Sequence, residues 1–210
     1  MEIKAVVFDY GRVISLPQDL RAIDRMAEMA GVESGEFRSA LWGLRDEYDR
    51  GTINAREYYG KVLAKLSVEA DFGGELIGEM IKMDLASWKE INGETVALME
   101  DVKKAGYTLG ILSNMPFDFL IWARENLPVF SLAQVGLFSC EVNLLKPEKA
   151  IYQKLLSMLV SKGVASGDEV VFFDDLHENI IGAESLGINA FLWKDAENAR
   201  RELLSLGVAL

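Results

Sequence analysis

The 210-residue chain is poor in the residues that would tie it to several common kinds of site: it has one cysteine and one histidine. A lone Cys140 excludes an internal disulfide and a cysteine metal cluster, and fits packing in a reducing compartment. A lone His177 excludes a multi-histidine zinc site. No apolar run approaches the roughly 18 residues of a membrane span, and the N-terminus enters a strand pattern at residue 3 without the features of a signal peptide. A cytoplasmic location is expected. Cations are also scarce. Lys and Arg number 22 against 33 Asp and Glu, a net charge of −11. That balance argues against nucleic acid or an anionic membrane surface as partner, and an anionic substrate would need a local cation to overcome the field. Half of the residues are hydrophobic, enough for one large domain or a core with an insertion.

What is present centres on residues 6–13, V-V-F-D-Y-G-R-V. The apolar run leading to Asp9 reads as a buried parallel strand, and Gly11 lets the backbone turn at once. From residue 17 to about 88 helical spacing takes over. One helix carries Leu20, Ile23, Met26, Ala27 and Ala30 and stops at Gly31. A second is expected over 34–50, ended by Gly51. A third, capped by Asn54, carries Tyr58, Val62 and Leu66. A fourth carries Leu76, Met80 and Met83. Trp42, Tyr48, Tyr58 and Tyr59 are expected in the core of this bundle, with the helix spanning 42–48 facing the active-site cleft.

Strand and helix patterns then alternate. Helices are expected over 90–105, 117–127, 148–160 with Pro147 in its first turn, 176–186, and from 195 onward. Strands are expected over 107–112, 136–140, 169–173 and 188–193. The alternation predicts an α/β fold, a doubly wound parallel sheet. The core is expected over residues 1–15 and 89–210, with a helical-bundle cap inserted over 16–88 and lying across the carboxyl ends of the strands.

Asp9, Ser113-Asn114 and Asp174-Asp175 all fall where a buried strand stops, and Lys146 falls just before a helix. In a parallel sheet these side chains share one edge, the edge where open α/β sheets bind ligands. Each alone is ordinary, because strand-end Asp caps helices, Ser-Asn makes turns and a single Lys is usually solvated. Together they make an oxygen-rich site for a hard cation, Mg²⁺, beside an ammonium and two neutral donors. Asp9, Asp174, Asp175 and the Gly11 carbonyl are the candidate metal ligands. Lys146, Ser113 and Asn114 are the candidate phosphate contacts. Asp9 is then the nucleophile of phosphoryl transfer to a carboxylate.

At these residues the chain resembles the haloacid dehalogenase-like (HAD) hydrolase superfamily, whose four motifs occur in order. They are F-D-Y-G-R-V from Phe8, I-L-S-N from Ile111, L-K-P-E from Leu145 and V-F-F-D-D-L-H-E-N-I from Val171. The helical insertion is similar to the family's small cap, and the sub-branch it most resembles includes α-D-glucose-1-phosphate phosphatase. The resemblance implies a Mg²⁺-dependent phosphatase of a small phosphorylated metabolite, with an aspartyl-phosphate on Asp9. It implies Asp175 as a direct metal ligand, Asp174 acting through water, and Asn179 bracing the site where many members have an acid. Two positions depart from the family pattern. Gly11 stands where most of its phosphatases carry a second Asp as general acid, and Arg12 replaces a small or amide residue. Arg12 is expected to contact substrate, to pair with a site carboxylate, or to form only a surface or structural salt bridge. The missing acid leaves room for a catalytically weak binding or regulatory protein. A metal-free 2-haloacid dehalogenase is the remaining alternative.

Overall fold

A computed structural model of the chain describes residues 2–69 and 74–210. Strand β1 (Ala5–Phe8) is followed by a tight turn and then by α1 (Leu20–Ala30), α2 (Ser34–Gly43), α3 (Arg45–Asp49), α4 (Ala55–Lys65) and α5 (Glu75–Ser87). The chain then returns through α6 (Gly93–Lys104) to β2 (Thr108–Ser113), α7 (Phe117–Asn126), β3 (Val135–Phe138), α8 (Ser139–Val142) and α9 (Lys149–Leu159). It finishes with β4 (Val170–Asp174), α10 (His177–Glu184), β5 (Asn189–Leu192) and α11 (Ala196–Ser205).

The five strands form one sheet in the order β3-β2-β1-β4-β5, and every pairing is parallel. Side chains alternate between two apolar faces, as a sheet covered on both sides requires. Val6, Phe8, Ile111 and Phe173 pack with α6, α7 and α11. Val7, Leu112, Val170 and Phe172 pack with α9 and α10 on the other side. The chain builds outward from β1 to β3, then crosses back to β4. Strands β1 and β4 therefore flank the point where the winding reverses, which is where a crevice opens in such sheets.

Helices α1 to α5 enclose a third core, separate from the other two, around Ile23, Met26, Phe37, Leu41, Tyr58 and Met80. Their ends follow local chemistry. Asp19 caps α1 by accepting from Arg21 N, and Gly31 closes it at φ +68°. Asn54 and Glu57 form a reciprocal capping box on α4. Two segments connect this bundle to the sheet side by side. Ser15 and Ile91 form an antiparallel bridge, and Leu16 N donates to Glu90 O while Asn92 N donates to Ile14 O.

Several boundaries differ from the sequence reading. The helix expected over 34–50 is broken at Leu44 (φ −118°, ψ 8°), which separates α2 from α3. Trp42 is 43% exposed rather than in the bundle core, whereas Tyr48, Tyr58 and Tyr59 are buried there. Pro147 precedes α9 instead of sitting in its first turn: Glu148 is the N-cap, and the Lys146-Pro147 peptide is cis. The third strand begins one residue earlier than expected and ends at Phe138, because Ser139 and Cys140 start α8. No helix among the described residues is long and apolar enough to cross a membrane.

Candidate active site

The carboxyl edge of the sheet gathers the strand-end residues. Asp9 follows β1 directly, Ser113 ends β2 and Asp174 ends β4. Parallel pairing in register, Phe8 beside Ile111 and Phe173, brings these ends to one level. Asp9, Asp174 and Asp175 each place a carboxylate oxygen within 4.8 Å of the others. Three carboxylates at that spacing repel one another strongly in a buried site. Asp174 is fully buried and Asp9 nearly so.

Lys146 answers two of them. Its Nζ lies 2.6 Å from Asp174 Oδ2 and 2.8 Å from Asp9 Oδ1, and it donates to the Leu112 carbonyl at 3.1 Å. Burial works against the charge on Lys146, but Asp174 and Asp9 more than offset it and hold the ammonium above its ordinary range. Burial likewise pushes the Asp9 carboxyl up, to about 7. Lys146 and a hydrogen bond from Ser113 pull against that shift, and Asp174 adds to it. The Lys146 contact with Asp9 Oδ1 is ionic but off the hydrogen-bond direction, so this buried oxygen has no hydrogen-bond partner.

The lysine is held by its backbone. Asn114 Oδ1 accepts from Lys146 N at 2.9 Å, and Asn114 Nδ2 donates to Lys146 O at 3.0 Å. This two-point clamp fixes the loop before α9 against the end of β2. An amide nitrogen carries two N–H groups, so one remains for a phosphate oxygen. Asp174 is held in a similar way, its Oδ1 accepting from Leu176 N at 2.9 Å and from Asn179 Nδ2 at 2.8 Å.

Arg12 sits in the left-handed region at φ 60°. Its Nη1 lies 3.1 Å from Asp175 Oδ2 at the mouth of the site. Burial raises the Asp175 carboxyl, Asp174 adds to that, and Arg12 lowers it. Arg12 is thus ion-paired with a candidate metal-ligating carboxylate. Beyond this pair a cleft of about 320 Å³ runs between Arg12, Asn92, Trp193 and Lys194.

Every candidate residue from the sequence lies in or beside this cluster. Trp88 was missed. A Cβ built on Gly11 would lie 3.7 Å from Trp88 Cζ3, and the Trp88 carbonyl accepts from Tyr10 Oη at 2.7 Å. Its only sequence signal is position, an aromatic where the chain re-enters the sheet domain. Arg45, on the helix expected to face the cleft, is instead buried between Asp49 (2.8 Å) and Asp84 (3.1 Å).

These residues fit a metal ion. Three convergent carboxylates, one with a buried unpartnered oxygen, are hard oxygen donors with a charge surplus that Lys146 and Arg12 do not cancel.

Comparison with known proteins agrees with this geometry. The chain is 26% identical over 219 residues to Phosphatase MT3486 of Mycobacterium tuberculosis, covering all of this chain and 98% of that one. It is 31% identical over 226 residues to mouse Bifunctional epoxide hydrolase 2, but spans only 38% of that protein. Among solved structures, the HAD family enzyme bt-2542 of Bacteroides thetaiotaomicron superposes with a TM-score of 0.76 at 20% identity, over 97% of this chain and 99% of that one. The same enzyme has been solved in complex with magnesium and inorganic phosphate, and there the TM-score is 0.71 at 19% identity, over 92% and 95% of the chains. L-2-haloacid dehalogenase of Xanthobacter autotrophicus shares the fold at a TM-score of 0.67 and 19% identity, over 99% and 85% of the chains. The family profile for haloacid dehalogenase-like hydrolases matches residues 3–187, and with that match the chain belongs to the haloacid dehalogenase-like hydrolases.

Proposed function

We propose that the chain is a magnesium-dependent phosphatase of a small phosphorylated metabolite, with a sugar phosphate as the first class to test. The observation that carries this reading is the cluster itself, three carboxylates converging beside one buried ammonium. A metal-free dehalogenation has no use for that surplus of negative charge.

In this reading an Asp9 oxygen attacks phosphorus and the aspartyl-phosphate is later hydrolysed by water. Lys146 compensates the negative charge of nucleophile and phosphate, held at its place by Asn114. The Ser113 hydroxyl and the second N–H of Asn114 donate to phosphate oxygens. Asp9, Asp175 and the Gly11 carbonyl would hold Mg²⁺, with Asp174 acting through water because both its oxygens are already engaged. When bound, the ion neutralises phosphate charge and orients it. Asn179 braces Asp174. Arg12 lies near enough to leave Asp175 for the substrate. Residues 16–88 act as a cap over the crevice.

The test is release of phosphate from p-nitrophenyl phosphate with Mg²⁺ present. Asp9→Asn, or EDTA, is expected to abolish it. Activity that survives either treatment would overturn the reading, and halide release from 2-chloropropionate without metal would replace it with the dehalogenase alternative.

A further inference from the structure

A phosphatase that expels a basic alkoxide needs a proton donor beside the leaving oxygen. Among the described residues the ionisable side chains gathered at Asp9 are Lys146, Asp174, Asp175 and Arg12, and each is in an ion pair. Lys146 Nζ donates to Asp174 and to the Leu112 carbonyl and is in ionic contact with Asp9. The Tyr10 hydroxyl is committed to the Trp88 carbonyl. His177 is exposed at the start of α10, and no ion pair among the described residues includes it.

Residue 11 is the position whose side chain would leave the backbone two residues after the nucleophile. Its backbone does not call for glycine: φ is −62° and ψ is 123°, values any residue adopts. A Cβ there would meet Trp88 Cζ3 at an ordinary 3.7 Å. What glycine contributes is therefore the lack of a side chain, and an indole stands on that side of the turn. Trp88 is itself buttressed by the edge of Trp42 at 6.2 Å, with the Arg45 guanidinium 5.5 Å over the Trp42 ring.

We propose that this site acts on phosphate esters of acidic hydroxyls and on acyl phosphates, whose leaving group departs as a stable oxyanion, because among the described residues no side chain is placed to protonate it and Trp88 flanks the position from which one would come. This rests on the phosphatase reading above. An Asp9 oxygen forms the bond to phosphorus, the bond from phosphorus to the leaving oxygen breaks, and that oxygen keeps the electron pair and takes its proton later from solvent. Water then attacks phosphorus. The Asp9 carboxylate is released, and the protons of that water leave on inorganic phosphate.

The experiment compares kcat/KM for p-nitrophenyl, phenyl, acetyl, trifluoroethyl and ethyl phosphates with Mg²⁺ present. The set separates leaving-group acidity from ring stacking, since acetyl phosphate is a good leaving group without a ring. We expect rates to follow acidity, with ethyl phosphate about 10²–10⁴-fold below p-nitrophenyl and acetyl phosphate, the range that a missing general acid would cost. His177→Ala is expected to leave the series unchanged. Ethyl phosphate within tenfold of p-nitrophenyl phosphate would overturn the proposal while keeping the phosphatase. So would rates that follow the ring, with acetyl phosphate slow, or a selective loss of the ethyl and phenyl substrates in His177→Ala. No phosphate release from any member would overturn both readings.

Discussion

Lys146 is a cation between two buried carboxylates, and its removal should be felt before any substrate is present. Lys146→Met leaves Asp9 and Asp174 facing each other without compensation. Breaking a buried pair in this way costs about 3–5 kcal/mol. For a chain of this size that is a fall in Tm of roughly 6–20 °C. Combining it with Asp174→Asn removes one of the stranded charges, so the double variant should be more stable than Lys146→Met alone. Thermal denaturation in EDTA checks this, and a double variant less stable than the single would contradict the charge account. At this scale the sequence shows which polar residues end the strands and says little about what they touch. Strand ends mark Asp9, Ser113 and Asp174, and the loop that leads through Pro147 to α9 marks Lys146. Nothing local said that Asn114 would spend its amide on the backbone 32 positions away, or that Trp88 would stand against Gly11. Those contacts depend on how the loops return, which periodicity does not encode.

Elements with strong patterns were legible, and those decided by tertiary contact were less so. Strands β1, β2 and β4 are apolar on both faces and follow from that alone. The break at Leu44 does not, since residues 34–50 keep helical spacing throughout. Its consequence is that α3 and the turn after it dock on the sheet domain. Asp49 O accepts from Ser139 Oγ at 2.5 Å, Arg50 pairs with Glu148 at 2.6 Å, and Asn143 Nδ2 donates to Arg50 O at 2.9 Å. Gly51 seats this contact at φ +76°, where a Cβ would lie 2.8 Å from both Cys140 O and Phe117 Cε2. Gly31 has nearly the same backbone at φ +68° but nothing within 4 Å of a Cβ. Gly31→Ala should therefore cost about 1–2 kcal/mol for the left-handed backbone alone. Gly51→Ala should cost that plus about 1–3 kcal/mol for overpacking, and, with the bundle acting as the proposed cap, should raise KM. Chemical denaturation of both variants, with KM for p-nitrophenyl phosphate, reads the difference. Equal losses would show that the docking contact carries no weight.

The whole molecule carries a net charge of −11, and it concentrates part of that excess where the sheet's winding reverses. Burial raises both Asp9 and Asp175 from their ordinary values, Asp9 to about 7. A carboxyl whose folded pKa lies above its unfolded value binds more protons folded than unfolded. Stability therefore falls as pH rises from about 4, the unfolded value, through the folded one. Without metal the chain should lose Tm across this window. Mg²⁺ binds the ionised ligands and reverses the loss, so its stabilisation should grow with pH. At about 100 times its Kd a ligand adds about 2.7 kcal/mol, a rise of roughly 5–10 °C for a chain of this length. The measurement is Tm with Mg²⁺ or with NaCl at matched ionic strength, at pH 5 and pH 8. A shift that is larger at pH 8, absent with NaCl and lost in Asp175→Asn would place the ion among these three carboxylates. A shift equal at both pH values, or kept in Asp175→Asn, would mean that magnesium acts on the acidic surface at large.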